Sequence, residues 1–149
     1  MALEVFQFVA VLCAALFAGA AVYINLVEHP ARMGLDTRSA AMQWAPSYER
    51  ATWMQAPLAL LSFLAGVAAW LLGGALLWLF AALLIGAVVP FTLIVIKPTN
   101  EQLLARERDL ASAETRKLLE RWGALHAARS AASAIATVLM LWDLIRTGA

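Results

Sequence analysis

The chain has 149 residues, of which 63% are hydrophobic and 14% charged, with a formal net charge of +1 and a mean hydropathy of +0.77. Soluble domains are nearer half apolar and a quarter charged, so this composition excludes an ordinary soluble protein. No basic stripe alternates with aromatic residues, which excludes a nucleic-acid-binding protein. Cys13 is the single cysteine, so an intramolecular disulfide and a Cys-x-x-Cys metal motif are also excluded.

The first apolar run covers residues 5–27, long enough to cross the hydrocarbon core of a bilayer. Its flank carries Glu4 and no Lys or Arg, and the run continues past the small residues 18–20, so we expect a retained helix and not a cleaved signal peptide. Pro30 lacks an N–H and clashes with the preceding turn, which predicts that the first helix ends there.

Residues 28–50 form a polar connection, in which residues 37–44 are predicted to form a short interfacial helix. The second span is predicted at 53–72, with Pro57 near its start. Gly73 and Gly74 then make a short connection, which makes the second and third spans antiparallel neighbours.

The third span is predicted at 75–96, kinked at Pro90 and closed by Lys97 and Pro98. Residues 100–121 are strongly charged but have a partial apolar face, which indicates an interfacial amphipathic helix or an extension of the fourth helix. The fourth span, at 123–145, is the least apolar. Together these runs predict one domain over residues 1–149, an all-α transmembrane four-helix up-down bundle with a short interfacial amphipathic segment before the fourth span.

Basic residues predict the orientation of the bundle. Nearly all of them lie in the two charged connections, at Arg32, Arg38, Arg50, Lys97, Arg106, Arg108, Arg116, Lys117 and Arg121, whereas Arg146 lies at the opposite side. The positive-inside rule then places the connections in the cytoplasm and both termini outside, most simply in a bacterial inner membrane. Tryptophans are expected in two interfacial belts, formed by Trp44, Tyr48, Trp53 and Trp122 on one side and by Trp70, Trp78 and Trp142 on the other. Asp143 is expected to form a plain interfacial pair with Arg146.

Polar residues inside a membrane are costly, so they mark candidate functional positions. They gather at the cytoplasmic end of all four predicted spans, where they comprise Asn25, Glu28, His29, Tyr48, Gln55, Asn100, Trp122, His126 and Arg129. Asn25 and His29 are four residues apart and should share a helix face, as should Trp122, His126 and Arg129. Arg129 needs a partner, for which Glu28, Glu101 or a bound anion could serve.

Three interpretations of this cluster remain open from the residues alone. In the first, a histidine is a general base and Arg129 stabilises an anionic intermediate. In the second, His29, His126 and a carboxylate, Glu28 or Glu101, bind a metal ion, although the histidines lack the spacing of a metal motif. In the third, the polar groups only cap helices, snorkel or bond between helices.

Several motifs, in order along nearly the whole chain, carry a resemblance to a known family. They are Asn25-x-x-Glu28-His29-Pro30, Trp44-x-Pro46-Ser47-Tyr48, Gln55-Ala56-Pro57, Pro90-Phe91-Thr92, Pro98-Thr99-Asn100-Glu101-x-Leu103 and Trp122-x-x-x-His126-x-x-Arg129. With these motifs the chain resembles the anthrone oxygenase-like family of small four-helix membrane proteins, whose bacterial members mostly have no assigned activity.

The resemblance implies an oxygenase that converts an anthrone to an anthraquinone with molecular oxygen and without an organic cofactor. It also implies functional roles for His29, Asn100, Trp122, His126 and Arg129. We expect His29, His126 and Arg129 to be catalytic, and Asn25, Asn100, Trp122 and Tyr48 to bind the substrate. The expected partners are the lipid bilayer and a small hydrophobic aromatic substrate, and assembly into a homo-oligomer is left open. The competing hypothesis is a non-enzymatic membrane module, either a small transporter or an accessory subunit, because small Gly and Ala residues are spread through the spans.

Overall fold

The computed structural model describes residues 1–148 as four long helices, with no strand among them. They are α1 (Ala2–Met33), α2 (Thr37–Leu71), α3 (Leu76–Leu103) and α4 (Ala113–Gly148), and each is long and apolar enough to cross a membrane. Helix α1 packs between α2 and α4, and α3 closes the ring on the other side by packing against the same two helices. The chain is therefore a four-helix membrane protein.

The interior of the bundle is lined mainly by small residues. Helix α1 buries Ala10, Ala14 and Ala21 on one face, while Leu12 and Leu16 on the other face are about half exposed. Water is not the solvent here, so large apolar side chains can face lipid while small ones let helices approach closely. At Gly66 of α2 an added Cβ would lie only 2.9 Å from the Cβ of Ala82 in α3. This close packing brings the polar side chains of separate helices together.

Short turns join α1 to α2 and α2 to α3. Gly73 adopts a φ of +101°, a conformation that favours glycine, and this confirms the predicted break between the second and third helices. Asp36 caps α2 by accepting a hydrogen bond from the Ser39 N–H at 3.0 Å. Hydrogen bonds from Ser39 hold the pKa of the Asp36 carboxyl below its usual range. The cap therefore contributes at neutral pH and is lost as the pH falls through that lowered pKa.

Two prolines do not end their helices, contrary to the sequence prediction. Helix α1 continues past Pro30 to Met33, and α3 continues past Pro98 to Leu103. Each proline follows a π-helical turn, Ile24–Glu28 in α1 and Thr92–Ile96 in α3. In a regular helix each proline ring would clash with the carbonyl of the residue four positions before it. Here that carbonyl lies within the wider π turn, which relieves the clash.

The charged connections contain no separate interfacial helix within residues 1–148. Residues 37–44 form the first turns of α2, and from Ala113 onward the amphipathic segment is an extension of α4. The turns between α3 and α4 are held by Thr115, whose hydroxyl donates to the Asp109 carbonyl at 2.8 Å. Arg116 donates to the carbonyls of Met33 and Leu35 and so ties α4 to the end of α1.

The expected aromatic belts are wrong for three of their seven members, whereas Trp53 and Trp142 are well exposed. Trp44, Trp78 and Trp122 are at most 4% exposed, because each packs in an apolar cluster inside the bundle. The Trp78 indole N–H donates to Asp143 at 2.7 Å, and Asp143 itself is only 1% exposed. Asp143 also accepts a hydrogen bond from Arg146 at 2.7 Å, so the predicted pair exists but is part of a buried link between α3 and α4.

Candidate functional site

The candidate residues lie near the end of the bundle where α1 and α3 finish and α2 and α4 begin. They come from the π-turn region of α1, the first half of α2, the last turn of α3 and the middle of α4. All four helices contribute, as the sequence predicts, but the residues divide into two adjoining groups. One group surrounds Trp122, and the other surrounds Arg129.

Asn25 connects α1 to α4 through three hydrogen bonds. Its Nδ2 donates to the Gly123 carbonyl at 3.1 Å, and its Oδ1 accepts from the Ser130 hydroxyl. The same Oδ1 lies 2.7 Å from Nδ1 of His126. An amide oxygen only accepts hydrogen bonds, so the proton of neutral His126 is assigned to Nδ1 and the lone pair to Nε2. The network therefore fixes both the ring orientation and the tautomer of His126.

Trp122 contacts both histidines. Its ring centroid is 4.8 Å from that of His126 and 5.4 Å from that of His29. On another side it meets Trp44 edge-on at 5.8 Å, and Trp44 in turn stacks on Tyr48 at 5.1 Å. The imidazoles of separate helices are thus brought to one aromatic cluster, as the sequence predicts.

His29 packs directly on the backbone of α4. A Cβ added at Gly123 would lie 2.6 Å from Cδ2 of His29, closer than real atoms approach. Nδ1 of His29 is buried without a hydrogen-bond partner among the described residues. Glycine at position 123 is therefore required for this arrangement of the ring.

Arg129 forms the second group with residues of α1 and α2. Its Nη2 donates to Oε1 of Gln55 at 3.0 Å, and its guanidinium lies 5.4 Å from the centre of the Phe17 ring. No carboxylate within residues 1–148 pairs with it, and its Nε is buried without a partner. A desolvated cation without a counter-charge is costly, so it attracts an anion more strongly than a hydrated one would.

The carboxylates proposed for Arg129 bind elsewhere. Glu28 accepts from Arg32 and from the Ser47 hydroxyl, and Glu101 pairs with Lys97 at 3.7 Å. The prediction of Glu28 or Glu101 as its partner is therefore wrong. Each carboxylate pairs instead with a basic residue four positions away on the same helix.

Two small apolar cavities meet at Arg129. One, of about 150 Å³, also includes Tyr48, Phe17 and Thr92 in its lining, and the other, of about 170 Å³, lies between α3 and α4 beside Phe91. A larger groove of about 550 Å³ lies between α1 and α2 and includes Gln55 in its wall. His126 lines none of these three spaces. Arg129 is therefore the charged residue in the lining of both small cavities, whereas Glu28 and Arg50 line the groove.

Asn100 is buried in α3 without any side-chain hydrogen bond. It is 3% exposed, and both its Oδ1 and its Nδ2 lack partners among the described residues, as does the neighbouring Thr99 hydroxyl. Thr99 and Asn100 lie on the same face as Ile96 and Leu103, which belong to the apolar cluster that contains Trp44 and Trp122. Buried amides are rarely left unpaired, so Asn100 is a candidate for contacting a ligand.

The metal alternative is not supported by the geometry. Within residues 1–148, no group of three or more His, Cys, Asp and Glu side chains is close enough to hold an ion. His29 and His126 are both in contact with Trp122, but Glu28 is directed to Arg32 and Ser47. The set His29, His126 and Glu28 is therefore not a ligand cluster.

Sequence reasoning missed the importance of Arg32 and Ser130. Arg32 is 2% exposed, pairs with Glu28 and lies 5.9 Å from the centre of the Trp122 ring. Its spacing of four residues from Glu28 is a signal that could have identified the pair. No comparable signal indicates that Ser130 hydrogen-bonds to Asn25, since their separation along the chain is 105 residues.

Comparison with known proteins gives two matches. The family model described as Anthrone oxygenase matches residues 44–139, a range that includes Tyr48, Asn100, His126 and Arg129 but not Asn25 or His29. Anthrone oxygenase tpcL of Aspergillus fumigatus is 39% identical over 77 residues, which are 50% of this chain and 48% of that protein. The match thus spans about half the length of this relative. No solved structure matches the chain.

Proposed function

The chain belongs to the anthrone oxygenase family, and from this premise we propose that it is a membrane-embedded oxygenase for a small hydrophobic aromatic substrate, anthrone- or quinone-like. In the proposed reaction the substrate loses a proton and becomes an electron-rich enolate, which reacts with dioxygen. One anthrone and one O₂ give one anthraquinone and one water. The CH₂ carbon is oxidised to a carbonyl, and its two hydrogens leave in the water.

The observation that carries the proposal is the Arg129 guanidinium, which is partly buried and has no carboxylate partner within residues 1–148. Arg129 also lines two apolar cavities. Deprotonation of an aromatic ketone places negative charge on its oxygen. A fixed cation in a dry site stabilises that charge more effectively than a solvated one. We assign this role to Arg129.

We assign the general base to His126. Its Nδ1 faces the amide oxygen of Asn25, so Nε2 is the nitrogen that can accept a proton. His126 precedes Arg129 by three residues, which corresponds to about 4.5 Å along the helix axis. A flat three-ring substrate is longer than this separation. Because His126 is buried and lines neither cavity at Arg129, contact with both side chains requires the packing around His126 to open. His29, which also contacts Trp122, is the second candidate base.

The remaining predicted site residues are assigned to substrate binding. Trp122 and Tyr48 offer aromatic surfaces, and Asn100 offers an unpaired amide to a substrate oxygen. Asn25 acts mainly through His126, which it holds in place. We propose that the reaction needs neither a metal nor an organic cofactor, and elemental analysis of active protein tests this. A stoichiometric metal would contradict it.

We propose that the charged connections lie in the cytoplasm of a bacterial inner membrane, with both termini outside. The support is the concentration of Lys and Arg in the connections, which determines orientation during insertion. A C-terminal reporter that is active only outside the cytoplasm tests this orientation. A homo-oligomer is a further prediction, tested by mass measurement in detergent.

Oxygen uptake by protein in liposomes with an anthrone tests the function. We expect Arg129→Gln to lower kcat by about 10²–10³-fold, as loss of an oxyanion donor does. His126→Gln is expected to lower it by about 10²–10⁴-fold. Arg121→Gln is the matched control, because Arg121 is exposed on the same helix and should retain full activity.

Comparison of His126→Gln with His29→Gln identifies the base, since the variant with the larger loss of kcat carries the base. Empty liposomes measure the spontaneous oxidation of the anthrone. Wild-type rates no higher than those of Arg129→Gln and both histidine variants would reject the proposed function.

A further inference from the structure

Gln55 is the direct hydrogen-bond partner that the structure gives to the Arg129 guanidinium. It lies in α2, is 2% exposed, and its Oε1 accepts from Nη2 of Arg129 at 3.0 Å. The amide oxygen holds the guanidinium in one orientation. Because the amide is neutral, it does so without cancelling the positive charge.

A carboxylate at this position would have the opposite electrostatic effect. It would form a charge-assisted pair with Arg129 and neutralise it in a low-dielectric interior. The nearby carboxylate Glu28 does this for Arg32 on the other side of the groove. The charge of Arg32 is neutralised by a carboxylate, whereas that of Arg129 is not. This difference depends on the neutral glutamine at position 55.

The unpaired atoms of this pair indicate what the site would bind. Nε2 of Gln55 and Nε of Arg129 are both buried hydrogen-bond donors without an acceptor among the described residues. They belong to two helices and flank the same hydrogen bond. Two buried donors and a net positive charge favour an anionic oxygen over a neutral or cationic group.

Gln55 also lies between the spaces that a ligand could occupy. It lines the groove of about 550 Å³ between α1 and α2, whereas Arg129 lines the two smaller cavities. The Gln55–Arg129 pair therefore forms part of the wall between them. Glu28 lines the groove together with Gln55, whereas neither of the two smaller cavities has a carboxylate in its lining.

We propose that Gln55 is a positioning residue that keeps Arg129 both fixed and electrostatically uncompensated, so that the site selects ligands with an anionic oxygen. This inference rests on the proposed function and deepens it, because it assigns the selection of the anionic form to the residue that holds the cation. Its two parts, neutrality and orientation, can be separated by two substitutions.

Gln55→Glu tests neutrality. It retains an oxygen acceptor for Arg129, so a residue with a purely structural role would tolerate it. We expect at least about a tenfold loss of affinity for 2-naphtholate relative to naphthalene, comparable to losing one hydrogen bond to a charged group. Turnover of the anthrone should fall as well. Gln102→Glu, the same change at an exposed position of α3, should leave both quantities unchanged.

Gln55→Met tests orientation. Methionine has a similar length but cannot accept the hydrogen bond, so the guanidinium stays charged but is no longer held. We expect the binding ratio of 2-naphtholate to naphthalene to stay near the wild-type value, while kcat falls at least about tenfold, as expected when a reacting group is misplaced. If Gln55→Glu does not fold, this variant alone decides, and an unchanged kcat would overturn the proposal.

The experiment measures both ligands by quenching of tryptophan fluorescence in the full chain in detergent, beside oxygen uptake in liposomes. Wild-type behaviour of Gln55→Glu, with Gln55→Met impaired in both measurements, would show a structural role and overturn the proposal. If the wild-type protein does not oxidise any anthrone, the proposed function fails. In that case the binding ratio for Gln55→Glu alone decides the inference.

Discussion

Asn25 and Asn100 are the same residue type at the same end of the bundle, but their surroundings are opposite. The side chain of Asn25 contacts Gly123, His126 and Ser130, whereas that of Asn100 has no partner among the described residues. An amide that is fully paired contributes to the fold, and one that is buried and unpaired opposes it. The two residues therefore allow stability and function to be separated by the same substitution.

Asn25→Leu should destabilise the protein. The change removes the side-chain partner of the Gly123 carbonyl and of Nδ1 of His126, and leaves the Ser130 hydroxyl only its bond to the His126 carbonyl at 3.2 Å. The expected cost is about 1–3 kcal/mol in the free energy of unfolding. Thermal unfolding in detergent, followed by circular dichroism, measures it. An unchanged melting temperature would contradict the hydrogen-bond network that links α1 to α4.

Asn100→Leu should leave stability unchanged or raise it, because leucine removes two unpaired polar atoms from a buried position. We expect oxygen uptake with the anthrone to fall by about tenfold, the equivalent of one hydrogen bond to the substrate. A variant that is as active as the wild type would show that Asn100 does not bind substrate. A strongly destabilised variant would show instead that its amide is paired in the folded protein.

Sequence identified the candidate residues better than their partners. Residue type indicated that Asn25, His29 and His126 would converge, since polar groups in an apolar span need each other. The partner of Arg129 could not be predicted, because Gln55 is separated from it by 74 residues and its amide carries no charge. Basic residues on the same helix, such as Lys97 beside Glu101, compete with Arg129 for the carboxylates. Sequence spacing alone does not predict which basic residue binds each carboxylate.

At the scale of single helices, the π turns determine which face the site residues occupy. Each inserts an additional residue, which rotates the following segment by about 100° around the helix axis. His29 follows the turn Ile24–Glu28, and Thr99 and Asn100 follow the turn Thr92–Ile96. Regular spacing could not predict this rotation, because nothing in a count of residues shows where a helix widens.

The contact between α1 and α4 depends on a single glycine, and Gly123→Ala tests it. The added methyl group would overlap the His29 ring, so the ring or the helix must move. We expect a loss of about 1–3 kcal/mol in stability, the usual cost of overpacking, together with a large fall in oxygen uptake. Thermal unfolding and turnover measure the two effects.

Gly19→Ala in α1 is the matched control, because its added Cβ meets no atom within 4 Å. It should be neutral or slightly stabilising, as alanine favours the helix more than glycine does. If both variants behaved alike, the close approach of His29 to Gly123 would be refuted.

For the whole molecule, the number and order of helices could be predicted from sequence, whereas the direction of the tryptophans could not. The length of an apolar run alone identifies a membrane-spanning helix. The short Gly-Gly turn predicts that the two helices it joins are antiparallel neighbours. Trp78 and Trp142 have similar positions near the ends of their helices, yet Trp78 is 0% and Trp142 59% exposed. The difference arises from Asp143, whose carboxylate needs a donor inside the bundle and finds it in Trp78.

The Trp78–Asp143–Arg146 link lies near the end of the bundle opposite the candidate site, so it should affect stability without affecting chemistry. Trp78→Phe keeps an aromatic ring but removes the N–H that donates to Asp143. We expect a loss of about 1.5–3 kcal/mol in the free energy of unfolding, the range for a hydrogen bond to a charged group.

Trp142→Phe should cost little, because Trp142 is exposed. Thermal unfolding in detergent measures both variants, and oxygen uptake per folded protein should match the wild type in each. Reduced turnover in folded Trp78→Phe would show that the two ends of the bundle are coupled, since the polar groups of the site make no contact with this link.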